Sequence, residues 1–138
     1  MPDADPDERA ASGQLTDLTP NECWELLGTR PVGRLVWSGA SGLTVVPLNY
    51  AVREGRILLR TAAYTSLARE CRDREVAFQV DDIDADSHSG WSVLVRGHCR
   101  DVEAGSGDQA PDTWASGTRR VVFAVEAQEV TGRRLTAG

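Results

Sequence analysis

Lysine is absent from this chain. All 15 of its basic side chains are arginines, and 21 acidic side chains outnumber them, so the formal net charge is −6. A phosphate backbone repels such a chain on average, because its net charge has the same sign. The composition therefore argues against nucleic acid as a partner.

Cysteine is scarce, and long apolar runs are missing. The chain has three cysteines, Cys23, Cys71 and Cys99, and no Cys-x-x-Cys pair. An odd number of thiols fits a reducing compartment better than a disulfide framework, so the sequence predicts a cytoplasmic protein. No stretch of about 18 apolar residues is present and the N-terminus lacks an apolar signal core, so neither a membrane span nor export is predicted.

The patterns that are present predict one mainly β domain with two short helices. Residues 1–14 are polar and are predicted as a disordered tail, and residues 15–138 as a single domain. A capping box from Thr19 to Glu22 predicts a helix over Pro20–Leu27 that Gly28 closes in a left-handed conformation. A second helix is predicted over Thr65–Arg72. The six predicted strands are Val32–Trp37, Leu43–Val52, Arg56–Thr61, Glu75–Asp81, Gly90–Glu103 and a last strand from residue 119 to near Thr131.

Two of these strands are apolar on both faces. Leu43–Val52 and Val121–Val125 carry apolar side chains at odd and even positions alike. One face can fill a barrel, but the other needs a cover, because large exposed apolar sheet faces are rare in monomers. We therefore expect a homodimer.

Motifs for metal binding or hydrolysis fail on inspection. The aspartates of the loop at residues 82–86 begin like a calcium loop, but Ser87 and Val93 stand where that loop needs glycine and glutamate. His88 and His98 lack zinc-ligand spacing, and no Gly-x-Ser-x-Gly or His-Glu-x-x-His motif occurs. No metal site is predicted, and the catalytic residues stay unknown.

The order and spacing of five segments resemble the pyridoxamine 5'-phosphate oxidase-like, flavin-binding split-barrel family. The segments are PLNY (47–50), ILLRTAAYTSLA (57–68), VAFQVDDID (76–84), GWSVLVRG (90–97) and TGRR (131–134). The resemblance spans roughly residues 18–135. It implies a six-stranded antiparallel split barrel, a homodimer, and FMN in a groove between the subunits.

The resemblance also implies which residues contact the cofactor. By position, Asn49 and Tyr50 flank the flavin ring, and Trp91 and Ser92 begin the strand beside the ring system. Five residues lie at the phosphate: Arg60, Thr61, Thr65, Ser66 and Leu67. Trp114 lies near the partner's flavin. Hydroxyls, backbone N–H groups and a guanidinium are suited to a phosphate.

Each of these assignments has a structural alternative. Trp91 can be a core aromatic residue, and Tyr50 can belong to a dimer interface. Thr61 and Ser66 can be an ordinary strand end and helix cap.

The function implied by the resemblance is an FMN-dependent oxidoreductase that moves two electrons to or from a small-molecule substrate. Related proteins often place a lysine or arginine in the segment where this chain has Thr65-Ser66-Leu67. A deazaflavin coenzyme or haem is therefore an alternative ligand. A non-catalytic carrier or sensor and an empty barrel that binds another protein are alternative functions.

Overall fold

A computed structural model of the protein describes residues 13–62, 65–102 and 120–137. Within these ranges the chain forms seven strands and two short helices. The strands are β1 (Gln14–Asp17), β2 (Val32–Gly39), β3 (Gly42–Arg53), β4 (Arg56–Ala62), β5 (Glu75–Asp84), β6 (Ser89–Asp101) and β7 (Arg120–Thr136), and the helices are α1 (Pro20–Leu27) and α2 (Ser66–Glu70).

The strands form one antiparallel sheet that closes into a barrel. Their order is β1-β7-β4-β3-β2-β5-β6, and a further pairing of β6 with β7 completes the circle. The six predicted strands are β2 to β7, so the six-stranded barrel is confirmed. β1 was not predicted, because its four residues are all exposed and carry no apolar alternation. It pairs with the end of β7, and its first residue, Gln14, falls at the end of the predicted tail, of which residues 1–12 lie outside the described ranges.

Helix α1 starts as its capping box predicts. The Thr19 hydroxyl accepts the Glu22 N–H at 3.2 Å, and the Glu22 carboxylate accepts the Thr19 N–H at 2.8 Å. The prediction that Gly28 ends the helix in a left-handed conformation is wrong, because its φ of −74° is right-handed. Its N–H bonds the carbonyls of Trp24 and Glu25 at 3.3 and 3.2 Å, so the last turn simply tightens.

The barrel interior is filled by alternate side chains of its strands. Phe78, Phe123 and Leu35 are fully buried there. Gly33 makes room for them, because a Cβ at this position would lie 2.5 Å from the Phe78 ring. Among the described residues, neither helix has the length and apolar character to cross a membrane.

Strands β3 and β4 pair over only part of their length. Their ladder runs from Arg53–Arg56 to Tyr50–Leu59 and stops, although β3 extends back to Gly42 and β4 continues to Ala62. Pro47 lies in the part of β3 that pairs with β2 but not with β4. The Tyr50 N–H bonds the Pro31 carbonyl on the β2 side, so by alternation the position of the missing Pro47 N–H faces away from β2. The described strands therefore separate beyond Tyr50, and we call this opening the split.

Candidate functional site

Asn49 and Arg60 form the two lips of the split. They occupy the positions at which the next β3–β4 pair would stand after Tyr50–Leu59. Because Tyr50 and Leu59 point into the core, Asn49 and Arg60 point outward. The Asn49 side chain donates to the Pro31 carbonyl at 3.3 Å, which fixes one lip against the start of β2. Two of the predicted cofactor residues thus meet at one opening.

A pair of threonine hydroxyls joins the end of β4 to α2. The Thr65 hydroxyl donates to the Ala62 carbonyl at 2.9 Å and caps α2 by accepting the Ala68 N–H at 3.2 Å. Thr61 lies 3.2 Å from it, oxygen to oxygen. Since the Thr65 proton is already committed, Thr61 is the donor in this contact. The strand-end alternative holds for Thr61, but the helix-cap alternative for Ser66 is wrong, because Thr65 is the cap and Ser66 is the first residue of α2. An anion here would meet hydroxyls already bonded within the turn.

Ser66 and Leu67 begin α2 but face different environments. Ser66 is exposed beside the Thr65 cap, whereas Leu67 is only 3% exposed and packs in the core. At the other end of the helix, the Glu70 carboxylate accepts the Trp37 indole N–H at 2.8 Å. Helix α2 is therefore held at both ends, with its Ser66 end next to the split.

Tyr50 is a core residue. It is 6% exposed, its ring meets the Phe78 ring edge to face at 5.0 Å between centroids, and its hydroxyl donates to the Leu27 carbonyl at 2.5 Å. Burial raises the pKa of Tyr50 to about 12. Tyr50 therefore supports the lip from inside while its neighbour Asn49 faces outward.

Trp91 and Ser92 lie on opposite faces of β6. Trp91 is 7% exposed and packs in the core, as its structural reading predicts. One side of it also lines a shallow apolar cavity of about 220 Å³ together with Leu15, Ile83 and Leu135. Ser92 faces outward and accepts a hydrogen bond from the Gln79 amide at 3.3 Å. Trp114, the remaining predicted residue, lies outside the described ranges.

A larger groove adjoins this cavity. It has a volume of about 500 Å³, and it shares Ser92 and Arg133 with the cavity beneath Trp91. Its walls are mixed: Leu18, Leu94 and Val130 are apolar, and its charged groups are Arg133 and Asp17, whose side chains are 3.9 Å apart. The Trp91–Ser92 segment thus borders an apolar cavity on one side and a groove of mixed polarity on the other.

The lips and Ser92 lie at one level of the barrel. Asn49 pairs with Val32, and Asp81 pairs with Ser92. The β2–β5 register, continued by two residues, places Val32 opposite Asp81. From Asn49 to Ser92 these outward residues therefore form a row over four strands, about 14 Å long at a strand spacing of about 4.8 Å, and Arg60 lies beyond Asn49 on a fifth strand. Because a barrel surface curves, one flat ring cannot contact both the lips and the Ser92 groove of one chain.

A smaller cavity lies in the middle of this row and was missed by sequence reasoning. We call it the Arg30–Arg34 pocket. It has a volume of about 240 Å³ and is lined by Arg30, Pro31, Val32, Gly33, Arg34, Pro47 and Asp81. In the sequence, Arg30 and Arg34 lie close to Pro31, but they form a pocket only because β2 pairs with the PLNY strand β3.

The three cysteines are buried and unpaired. Burial raises the pKa of Cys71 and of Cys99 to about 12, and it also raises that of Cys23. Thiols that stay protonated at neutral pH are poor nucleophiles. In the described ranges, no three His, Cys, Asp or Glu side chains converge as metal ligands.

Comparison with known proteins places the chain in a family. The family model described as pyridoxamine 5'-phosphate oxidase matches residues 19–134. The uncharacterized protein Rv0080 of Mycobacterium tuberculosis is 29% identical over 96% of this chain and 95% of its own length.

Solved structures give the same result. The FAD-binding protein of Mycobacterium smegmatis is 31% identical, with a TM-score of 0.72 over 88% of this chain and 98% of that one. An FAD-binding protein of Mesorhizobium loti is 24% identical, with a TM-score of 0.75 over 87% of this chain and 97% of that one, and supports the fold. The protein is a member of the pyridoxamine 5'-phosphate oxidase family and has its flavin-binding split-barrel fold.

Proposed function

We propose that the protein binds a flavin at the split and uses it to transfer two electrons to or from a small molecule. The observation that carries the proposal is the opening between β3 and β4, lined by outward-facing Asn49 and Arg60. Family membership and the FAD-binding relative from M. smegmatis support it.

FAD is the flavin we favour, in place of the FMN that the sequence resemblance implies. The phosphate of FMN is a monoester that carries about −1.5 to −2 charges on one group at neutral pH. In FAD the negative charge is divided between two phosphates. Arg60 is the cation at the lips of a chain without lysine, so the lower charge on each phosphate suits this site better.

A homodimer completes the proposal. Leu43 and Val45 on the outer face of β3 are 84% and 55% exposed, beside the lip that carries Asn49. A second copy on this face would bury them and bring its own groove toward the split. This arrangement would place the flavin phosphates on one protomer and the ring against the other.

The side chains would position the cofactor, and the bound flavin would supply the two-electron chemistry. Arg60 and the Asn49 amide would orient its polar chain at the lips. The apolar walls near Trp91 would exclude water from one face of the ring.

A titration followed by visible absorbance tests the binding step. Purified protein is titrated with FAD, FMN, a deazaflavin and haem, and Arg60→Ala is compared with Arg96→Ala. Arg96 is an exposed arginine paired with Glu129 at 2.9 Å, away from the split. The proposal requires saturable flavin binding that Arg60→Ala weakens and Arg96→Ala does not.

Reduction of the bound flavin by NADH or NADPH, followed by reoxidation that requires an added substrate, tests turnover. A flavin that binds but is not reoxidised in this way identifies a carrier or sensor. A protein that binds none of the four ligands contradicts the proposal and favours the empty-barrel alternative.

A further inference from the structure

We propose that the Arg30–Arg34 pocket binds the adenine ring of FAD and thereby selects FAD over FMN. The inference rests on the flavin function proposed above. It assigns a ligand fragment to residues that the sequence resemblance does not include.

The size of the pocket fits one ring system. Cavities that enclose a whole small ligand have volumes of about 300–1,000 Å³. At about 240 Å³ the Arg30–Arg34 pocket is smaller than these, so it would hold part of a larger molecule. The rest of that molecule would lie along the outer row toward the split.

The walls of the pocket suit a flat aromatic ring. Pro31, directly before β2, and Pro47 on β3 supply rigid apolar surfaces. Arg30 and Arg34 supply planar guanidinium groups, which stack on aromatic faces. The combination of proline and arginine fits a heterocycle better than an aliphatic chain.

The charges of the pocket favour a neutral ring over a phosphate. Arg34 lies 3.7 Å from Asp81, which also lines the pocket, and Arg30 lies 3.6 Å from Asp82, which does not, so each positive group has a negative neighbour. Asp81 already accepts one hydrogen bond from the Gln79 amide, at 2.7 Å. A carboxylate has about four lone-pair positions, so Asp81 can accept a further hydrogen bond from the exocyclic amine of adenine.

The distance from the lips fits a dinucleotide. Arg60 on β4 and Arg34 on β2 are separated by two strand positions, across β3, which is at least about 10 Å because β3 and β4 are no longer paired at Arg60. FMN ends at its phosphate and cannot extend from Arg60 into the pocket. FAD continues through a second phosphate and a ribose to the adenine, so it can.

Calorimetric titration of FAD, FMN and adenosine into wild type and Arg34→Ala tests the inference. We expect wild type to prefer FAD over FMN by about tenfold or more, which is about 1.4 kcal/mol. Arg34→Ala should remove most of that preference by weakening FAD and adenosine while FMN affinity stays unchanged. Arg96→Ala is the control, because the two side chains are similarly exposed, at 54% and 56%.

The conservative variant Asp81→Asn provides a second test that does not require removal of an arginine. It keeps the side-chain shape but replaces one acceptor oxygen with an NH2 donor, while the Gln79 amide needs the remaining oxygen, so it should also lower the FAD preference. Thermal unfolding of each variant shows whether it is folded. The inference is overturned if wild type binds FAD and FMN equally, or if the pocket variants weaken both flavins alike. Binding of neither flavin by wild type contradicts the proposed function itself, which is a separate and recognisable outcome.

Discussion

The hydroxyl of Tyr50 donates a hydrogen bond of 2.5 Å to the carbonyl of Leu27, the last residue of α1. This bond joins β3 to the helix at the point where β3 leaves its ladder with β4. Asn49, one residue earlier, points outward at the lip of the split. Two neighbours that the sequence resemblance assigns to one flavin contact therefore divide between support of the fold and the candidate site.

Tyr50→Phe should destabilise the protein without weakening flavin binding. The substitution keeps the ring packing on Phe78 but leaves the Leu27 carbonyl without its partner, which costs about 1–3 kcal/mol. Urea unfolding measures the loss of stability, and a flavin titration of the folded variant measures affinity. Unchanged stability together with weaker flavin binding would mean that Tyr50 contacts the ligand, as the resemblance implies.

Stability should fall in alkaline solution because of the buried thiols. The pKa of Cys99 is raised by burial from 9.0 to about 12, and that of Cys71 likewise. Because the folded-state pKa is raised, the buried thiols contribute fully to the free energy of unfolding below pH 9.0, the unfolded-state pKa. That contribution is lost as the pH rises through about 12.

Urea unfolding under reducing conditions, measured from neutral pH to about pH 10, checks this dependence. Cys99→Ala should unfold at a lower urea concentration because it leaves a cavity, but its stability should decline less steeply with pH. An equal slope in wild type and Cys99→Ala would show that Cys99 ionises as easily in the folded as in the unfolded chain.

Glu70 should position α2 for flavin binding. Its carboxylate accepts the N–H of Trp37, which is 3% exposed. Glu70→Ala should lower stability by about 1–3 kcal/mol, since the buried indole N–H loses its acceptor. It should also weaken flavin binding, because α2 carries Thr65 and Ser66 beside the split.

Glu70→Gln is the matched control for this prediction, because its amide oxygen can still accept the indole N–H. Tryptophan fluorescence and the flavin affinity of the two variants report the outcome. Equal losses in Glu70→Ala and Glu70→Gln would assign the effect to the charge and not to the hydrogen bond.

Val45→Asp should convert the proposed dimer to a monomer. A carboxylate on the outer face of β3 would have to be buried in the interface, where an unpaired charge is costly. Arg53→Asp, at the exposed far end of the same strand, should remain dimeric. Light scattering after size-exclusion chromatography measures both masses, and a dimeric Val45→Asp would place the interface elsewhere.

The local features of the fold could be predicted from the sequence. The bounds of α1 follow from the capping box and Leu27, and the six barrel strands follow from their apolar pattern and turns. β1 could not be predicted, because its stability comes from pairing with β7 and not from its own residues. The prediction of a left-handed Gly28 was wrong, because a right-handed last turn satisfies the same carbonyls.

The candidate site depends on long-range pairing and was only partly predictable. The resemblance identified Asn49 and Arg60, but their meeting at the split follows from where the β3–β4 ladder ends. Arg30 and Arg34 line a pocket with Pro47 and Asp81 only because β2 pairs with both β3 and β5. No local pattern specifies these registers.

Titration of the purified protein with FAD, followed by flavin absorbance and by the mass of the complex, is the most direct test of a flavin bound at the split of a dimer. We predict saturable binding of one FAD per chain with a Kd of about 1 μM or tighter, which is about −8 kcal/mol. We also predict a complex with the mass of two chains and a clear loss of affinity in Arg60→Ala. A monomer that binds no flavin, or binding that is indifferent to Arg60→Ala, would contradict it.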